Sequence, residues 1–349
     1  MEGSATRKLF FSNQLKVVQQ NKLADGQSGY YPLNLRVLIP SERLTFTLYL
    51  KVLAGTPAEV KYLPCFYSDE VLTKEWLTKL REMRVEKLYF QQNDLDNVIA
   101  YINNVLFILD NEDEYKPAMA GFKLRVLFDH LNLTLVRAYN NLNKEENVIS
   151  VVKGGEQIMD ELEKNPLALQ PLWDLLLLEY RFYNHAANVF LIALTMMKSL
   201  KKKSDDCKAM GLAALFFDVG MTKISEDIIY KSGVLKANER LQLENHPQTS
   251  FEIMKKYSYI PLDTLRLIVE HHENFDGSGY PQRLDHFRQH SYTPVLRLVD
   301  AFTALISPRP FRPGYPPFKA IKILQEQHGP KGPVFDHRLI LTLVKKALI

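Results

Sequence analysis

The run His271-His272-Glu273-Asn274-Phe275-Asp276-Gly277-Ser278-Gly279-Tyr280-Pro281 constrains this chain more than any other segment. Two adjacent histidines can both reach one metal cluster, and an acid accompanies them. The Asp-Gly-Ser-Gly-Tyr-Pro sequence that follows can turn the backbone and offer amides and an aromatic wall to an anionic ligand. Metal ligands and a candidate anion loop are therefore joined in one short stretch.

Composition sets the frame. A chain of 349 residues is long enough for two domains with separate cores, and its hydrophobic (46%) and charged (24%) fractions are those of a soluble globular protein. The apolar stretch from Ala186 to Met197 is too short to cross a bilayer and runs into lysines, so no membrane partner is expected. The N-terminus has no extended apolar core or small-residue cleavage site around Leu9-Phe10-Phe11, so no secretory signal is expected. Two cysteines, Cys65 and Cys207, lie far apart, which argues against a disulfide framework and for a reducing, cytoplasmic setting. The net charge of +4 comes from basic residues spread among nearly as many acids and gives no footprint for a nucleic-acid polymer. Lys201 to Lys203 reads as a solvated helix end.

The acidic run Asn111-Glu112-Asp113-Glu114-Tyr115-Lys116, closed by Pro117, marks the natural division of the chain. Ahead of it, Leu33 to Ile39 and Leu44 to Val52 read as two strands joined by a turn at Pro40-Ser41-Glu42. Asp69 to Met83 reads as a helix, Val85 to Phe90 as a strand and Asp94 to Leu109 as a helix. Residues 1–115 are thus expected to form a small α/β module with no His, Cys or carboxylate cluster, suited to regulation, sensing or dimerisation. From Ala118 to about Leu142 and from Glu146 to Leu162, apolar residues recur at helical spacing, as in Leu124, Leu127, Phe128, Leu131 and Leu135. This connector, residues 116–166, packs within the chain or against a second copy in a homodimer. Residues 167–349 read as helical, so the expected fold is mostly α: an all-helical C-terminal domain preceded by a small α/β module and a helical connector.

The C-terminal half resembles the HD-GYP family of the HD superfamily. His185 matches the first ligand histidine, and Phe217-Asp218-Val219-Gly220-Met221 stands where the family shows His-Asp-Ile-Gly-Lys. Tyr230-Lys231-Ser232-Gly233-Val234-Leu235 resembles its Lys-Pro-Gly-Lys-Leu turn. His246-Pro247, then His271-His272-Glu273 with the Gly-Tyr-Pro loop, then Asp300 follow in the family's order, and Arg309-Pro310-Phe311-Arg312 resembles its Arg-Pro-Tyr-Arg segment. The resemblance implies a bacterial, metal-dependent hydrolase, a cyclic-di-GMP phosphodiesterase, with one or two divalent ions, iron or manganese by the ligand types. It implies metal ligands His185, Asp218, His246, His271, His272 and Asp300, with Asp218 bridging two ions as the catalytic carboxylate. It further implies a cyclic di-GMP site built from Lys231, Gly277, Gly279, Tyr280, Pro281, Arg309 and Arg312. Two adjacent cations sharing a carboxylate suit phosphodiester hydrolysis, because together they activate water and neutralise phosphate oxygens.

Three departures bear on activity. Phe217 replaces an imidazole with a ring that has no lone pair to donate. Met221 stands where the family's lysine stabilises phosphate charge, and on a continuing helix Lys223 would lie about 200° around from it. Arg181 occupies the place of the glutamate in trinuclear members, so a third ion is not expected. Two readings follow: a degenerate relative that binds cyclic di-GMP or a protein partner and passes a signal between modules, or an active phosphodiesterase with a reduced metal site.

Overall fold

The computed structural model of the chain describes residues 29–54, 59–111, 117–165, 176, 181–229, 231, 233–309 and 312–347. Its contacts divide the chain into two units, Met1–Leu133 and Thr134–Ile349, so the division falls within the helix Pro117–Asn140. The domain boundaries expected near residues 115 and 166 lie in stretches outside the described residues.

The first unit contains four antiparallel strands, β1 (Tyr30–Asn34), β2 (Leu48–Ala54), β3 (Glu59–Phe66) and β4 (Lys87–Gln91), in the order β1-β4-β2-β3. Two helices accompany them, α1 (Lys74–Glu82) and α2 (Leu95–Asn111). Alternation along β2 buries Leu48, Leu50 and Val52 on one face, and α2 buries Val98, Ile102, Val105 and Leu109 at helical spacing. The two segments expected to form a hairpin do not pair with each other. β1 ends at Asn34 in a 3-10 turn, Leu35–Val37, and pairs with β4, while β2 pairs chiefly with β3. β3 is a further strand, and Pro64 is tolerated in it because it lies at the sheet edge. The first helix starts later than expected. Asp69 takes a left-handed φ of 68°, and the Thr73 hydroxyl accepts the Trp76 amide at 3.2 Å as the N-cap.

After the helix α3 (Pro117–Asn140) come α4 (Glu145–Lys164), α5 (Phe182–Ser199) and α6 (Ser204–Phe216). A 3-10 turn at Val219–Lys223 is followed by α7 (Glu226–Ile229), α8 (Ala237–Glu244), α9 (His246–Met254) and α10 (Leu262–Glu270). The chain ends with α11 (Thr293–Ile306), α12 (Pro317–Glu326) and α13 (His337–Ala347). The apolar run of α5 is the central helix of this unit: Ala186 through Leu194, Met196 and Met197 are all buried. Gly155 of α4 and Gly211 of α6 let those helices close on Phe190 of α5. An added methyl at either glycine would sit 3.0 Å from a neighbouring side chain. Among the described residues no helix is long and apolar enough to cross a membrane. Both cysteines are buried and neither forms a disulfide.

Candidate metal centre

Each candidate ligand stands at a helix end or on a helix facing the others. The buried Tyr139 hydroxyl donates to the Leu215 carbonyl at 3.0 Å, satisfying one of the open carbonyls at the end of α6. Phe217 and Asp218 follow directly. The 3-10 turn after them presses against the first turn of α9, where the Gly220 amide donates to the Ser250 hydroxyl at 2.8 Å. A methyl at Gly220 would lie 2.4 Å from the His246 carbonyl oxygen and 2.8 Å from the Ser250 amide. Gly220→Ala is therefore expected to cost about 3 kcal/mol, lowering the melting temperature by roughly 6–12 °C. Gly233→Ala, whose methyl meets nothing within 4 Å, is the control in the same thermal melts.

This close approach brings Asp218 Oδ1 to 3.1 Å from His246 Nε2 and 3.7 Å from His271 Nε2. The two imidazoles are oriented alike. His246 Nδ1 donates to the Leu243 carbonyl at 2.6 Å and His271 Nδ1 to the Ile268 carbonyl at 2.7 Å. That leaves a lone pair on His271 Nε2, while His246 Nε2 lies 3.0 Å from it and within reach of Asp218 Oδ1, where it can hold a proton or take a metal ion. One ligand atom from each of His246, His271 and His272 falls within 4.8 Å of the others, a spacing that one metal ion can span. Three imidazoles and a carboxylate suit a borderline divalent ion, so the residues present fit a metal.

The other half of the cluster is different. Asp300, on α11, places Oδ1 2.9 Å from His185 Nε2, and its Oδ2 lies 3.8 Å from His272 Nδ1 and 3.6 Å from Arg297 Nη1. Phe217, fully buried, packs its ring edge-on to both His271 (centroids 4.8 Å apart) and His185 (5.7 Å). An aromatic ring packs against two imidazoles and adds no donor.

Electrostatics agree with this division. Burial, with the neighbouring His246, pushes His271 down to about 4, and burial pushes His272 well below its ordinary value. Both imidazoles are neutral near pH 7, the form a metal requires. Burial also opposes the charge on His246, but the Asp218 hydrogen bond and charge more than reverse it and raise its pKa. Burial works against Asp218 and Asp300 as well. The imidazoles around them, and Arg297 beside Asp300, hold both carboxyls below the ordinary range.

The loop after His272 is braced from within. Glu273, fully buried, accepts the amides of Gln282 (2.6 Å) and Leu284 (2.9 Å). Asp276 accepts the Ser278 amide at 3.0 Å. The Gly277 amide goes to the Asn274 carbonyl at 2.9 Å, and the Tyr280 amide to His272 at 3.2 Å. Three of the amides expected to face an anion are thus engaged inside the loop. Gly277 adopts a φ of +80°, and a methyl at Gly279 would meet the Asn274 amide nitrogen at 2.3 Å, so both glycines serve the tight fold of the loop. What the loop presents is Tyr280, its ring 4.7 Å from that of His272, followed by Pro281 across a cis peptide bond.

The basic residues expected to contact phosphate are placed differently from one another. Lys231 is paired with Glu239 at 2.6 and 2.8 Å. Arg312 donates to the carbonyls of Ala304 (2.7 Å), Leu305 (3.0 Å) and Pro313 (3.1 Å), holding the end of α11. Arg309 lines a pocket of about 290 Å³ with Arg297, Arg312, Ala301 and Ala304 among its walls. Lys223 is exposed on the 3-10 turn that replaces a continuing helix. Sequence reasoning missed Arg297, although its position three residues before Asp300 on one helix puts the two side chains on the same face.

Comparison with known proteins agrees with the geometry. The family model described as "HD domain" matches residues 172–333. A cyclic di-GMP phosphodiesterase of Pseudomonas aeruginosa is 25% identical over 190 residues, which is 54% of this chain and 45% of that protein. The cyclic di-GMP phosphodiesterase response regulator RpfG of Xanthomonas campestris is 26% identical over 156 residues, 44% of this chain and 40% of that protein. This region is an HD domain of the HD-GYP type. A 3'3'-cGAMP-specific phosphodiesterase of Vibrio cholerae is 35% identical over 115 residues, 33% of this chain and 25% of that protein. The matches thus span less than half the length of each of these relatives. An HDG"Y"P protein of Bdellovibrio bacteriovorus shares the fold with a TM-score of 0.66 at 15% identity, covering 92% of this chain and 100% of that one. The mostly helical architecture described above is that of an HD domain of the HD-GYP type.

Proposed function

We propose that this chain is a cyclic-di-GMP signalling protein whose HD-GYP domain binds the dinucleotide, hydrolyses it slowly or not at all, and passes its liganded state to the N-terminal module, to a protein partner or to a second copy. The observation that carries this reading is the buried Phe217 ring packed against both His185 and His271. A divalent ion, iron or manganese by its ligands, would be held by Asp218, His246, His271 and His272 and supply Lewis-acid charge to a phosphate. Tyr280 offers an aromatic face for a guanine base, and Pro281 extends that wall. Arg309, in the wall of the pocket it shares with Arg297 and Arg312, is a candidate for a phosphate contact. Lys231 and Arg312 act instead through Glu239 and the end of α11.

Thermal melting of the manganese-loaded protein tests binding. Cyclic di-GMP at about a hundredfold over its dissociation constant is expected to raise the melting temperature by roughly 5–10 °C, with the nucleotide recovered intact. 3'3'-cGAMP is run in parallel, and no shift with either removes the receptor reading. The second reading, a working phosphodiesterase, is favoured by the intact grouping of Asp218 with His246 and His271. Linear product formed faster than by Asp218→Ala under the same conditions would establish it.

A further inference from the structure

Asp300 is a buried carboxylate, 6% exposed, and a buried anion requires a compensating positive charge. Its contacts are His185 at 2.9 Å, Arg297 at 3.6 Å and His272 at 3.8 Å. Of these three, Arg297 brings a guanidinium, a permanent cation in proteins. We infer that Arg297 is a fixed cation of this centre, paired with Asp300 where the Phe217 ring packs against His185, so that the domain takes one divalent ion rather than two. The inference rests on the reading of the histidine cluster as a metal centre and adds to it a count and the residue that sets the count.

Three contacts hold the guanidinium in place. Its position three residues before Asp300 on α11 sets the pair by backbone geometry. Arg297 Nε donates to Asn274 Oδ1 at 3.1 Å, and the guanidinium carbon lies 5.0 Å from the centre of the Phe335 ring. Asn274 is itself oriented, since its amide nitrogen donates to the Ser278 hydroxyl at 3.0 Å. The glycine loop that follows the paired histidines therefore also aims the arginine at Asp300. A second divalent ion held by Asp300 and His185 would lie beside this immobile positive charge and against a ring with no lone pair. Phe217 removes a donor and Arg297 removes the electrostatic need for the ion. Arg297 is a positioning residue: it acts through Asp300 and the charge of the site.

Counting bound metal tests this without reference to turnover or nucleotide binding. The full chain is stripped with a chelator, incubated with excess manganese and passed through a desalting column. Metal is then counted by mass spectrometry against protein concentration. Wild type and Phe217→His are each expected to retain about one equivalent, and Phe217→His with Arg297→Gln about two, because both obstacles must be removed. Two equivalents in Phe217→His alone would overturn the inference, as would one equivalent in the double variant with its circular dichroism unchanged. Arg297→Lys in the Phe217→His background keeps the charge and is expected to stay at about one, so two there overturns the inference even if the glutamine variant fails to fold. No retained metal in folded wild type would remove the metal-centre reading itself, a result distinct from a wrong count.

Discussion

Phe217→His, Met221→Lys and Arg297→Gln together are expected to raise cyclic-di-GMP hydrolysis by about a hundredfold to a thousandfold over the parent protein, the range associated with one well-placed group that stabilises charge in the transition state. Each change answers one observation. The Phe217 ring packs against His185 and His271, and an imidazole is smaller than that ring, so histidine there needs no new room and restores a nitrogen donor next to Asp218 in the chain. Met221 lies in the 3-10 turn at Val219–Lys223, and lysine there returns a positive charge that a thioether cannot supply. Removing the Arg297 guanidinium leaves Asp300 to be neutralised by a cation from solution. Initial rates at saturating cyclic di-GMP, measured beside Phe217→His with Met221→Lys, check the proposal. The pair lacking Arg297→Gln should gain less. A triple variant that holds two ions and still does not hydrolyse would mean that the nucleotide is bound in an orientation the centre cannot attack.

The parts of this site that could be read in the sequence are those whose chemistry belongs to a side chain and whose order along the chain is distinctive. His185, Asp218, His246, His271, His272 and Asp300 were expected to converge, and the structure brings them together. The helices from Pro117 onward were also legible, because periodic apolar residues such as Leu124, Leu131 and Leu135 are buried as their spacing implies. The roles of Lys231 and Arg312 were not. Lys231 finds Glu239 across a turn, and Arg312 donates to three backbone carbonyls, acceptors that every residue carries and no residue letter announces. Strand pairing was hidden for a related reason. β1 and β4 are separated by more than fifty residues, and their register depends on distant partners that local alternation does not identify. The loop amides show the same limit: Gly277 and Gly279 signal a tight turn, but whether its amides face a ligand or the turn itself depends on the placement of Asn274, Asp276 and His272.

Asp218→Ala is expected to weaken metal retention by at least about a hundredfold, beyond the loss usually caused by removing a residue that only orients a ligand. Asp218 contributes the oxygen nearest to both His246 Nε2 and His271 Nε2, at 3.1 and 3.7 Å, and is the carboxylate that offsets positive charge in the half of the site that fits an ion. Without it the two nitrogens still face each other at 3.0 Å, and His246 loses the partner that raises its pKa. Competition against a chromogenic chelator measures the loss. The metal-free proteins provide a second readout with a definite sign. The Asp218 carboxyl titrates below its ordinary value in the fold, so the native state favours its ionised form. That contribution is fully present above the unfolded carboxyl pKa, near 4, and is lost as pH falls through the lowered native value. Melting curves of metal-free wild type should therefore exceed those of Asp218→Ala at neutral pH, and the gap should narrow below about pH 4. An unchanged gap across that range would assign the wild-type advantage to packing, and undiminished metal retention in the variant would move the ion away from Asp218.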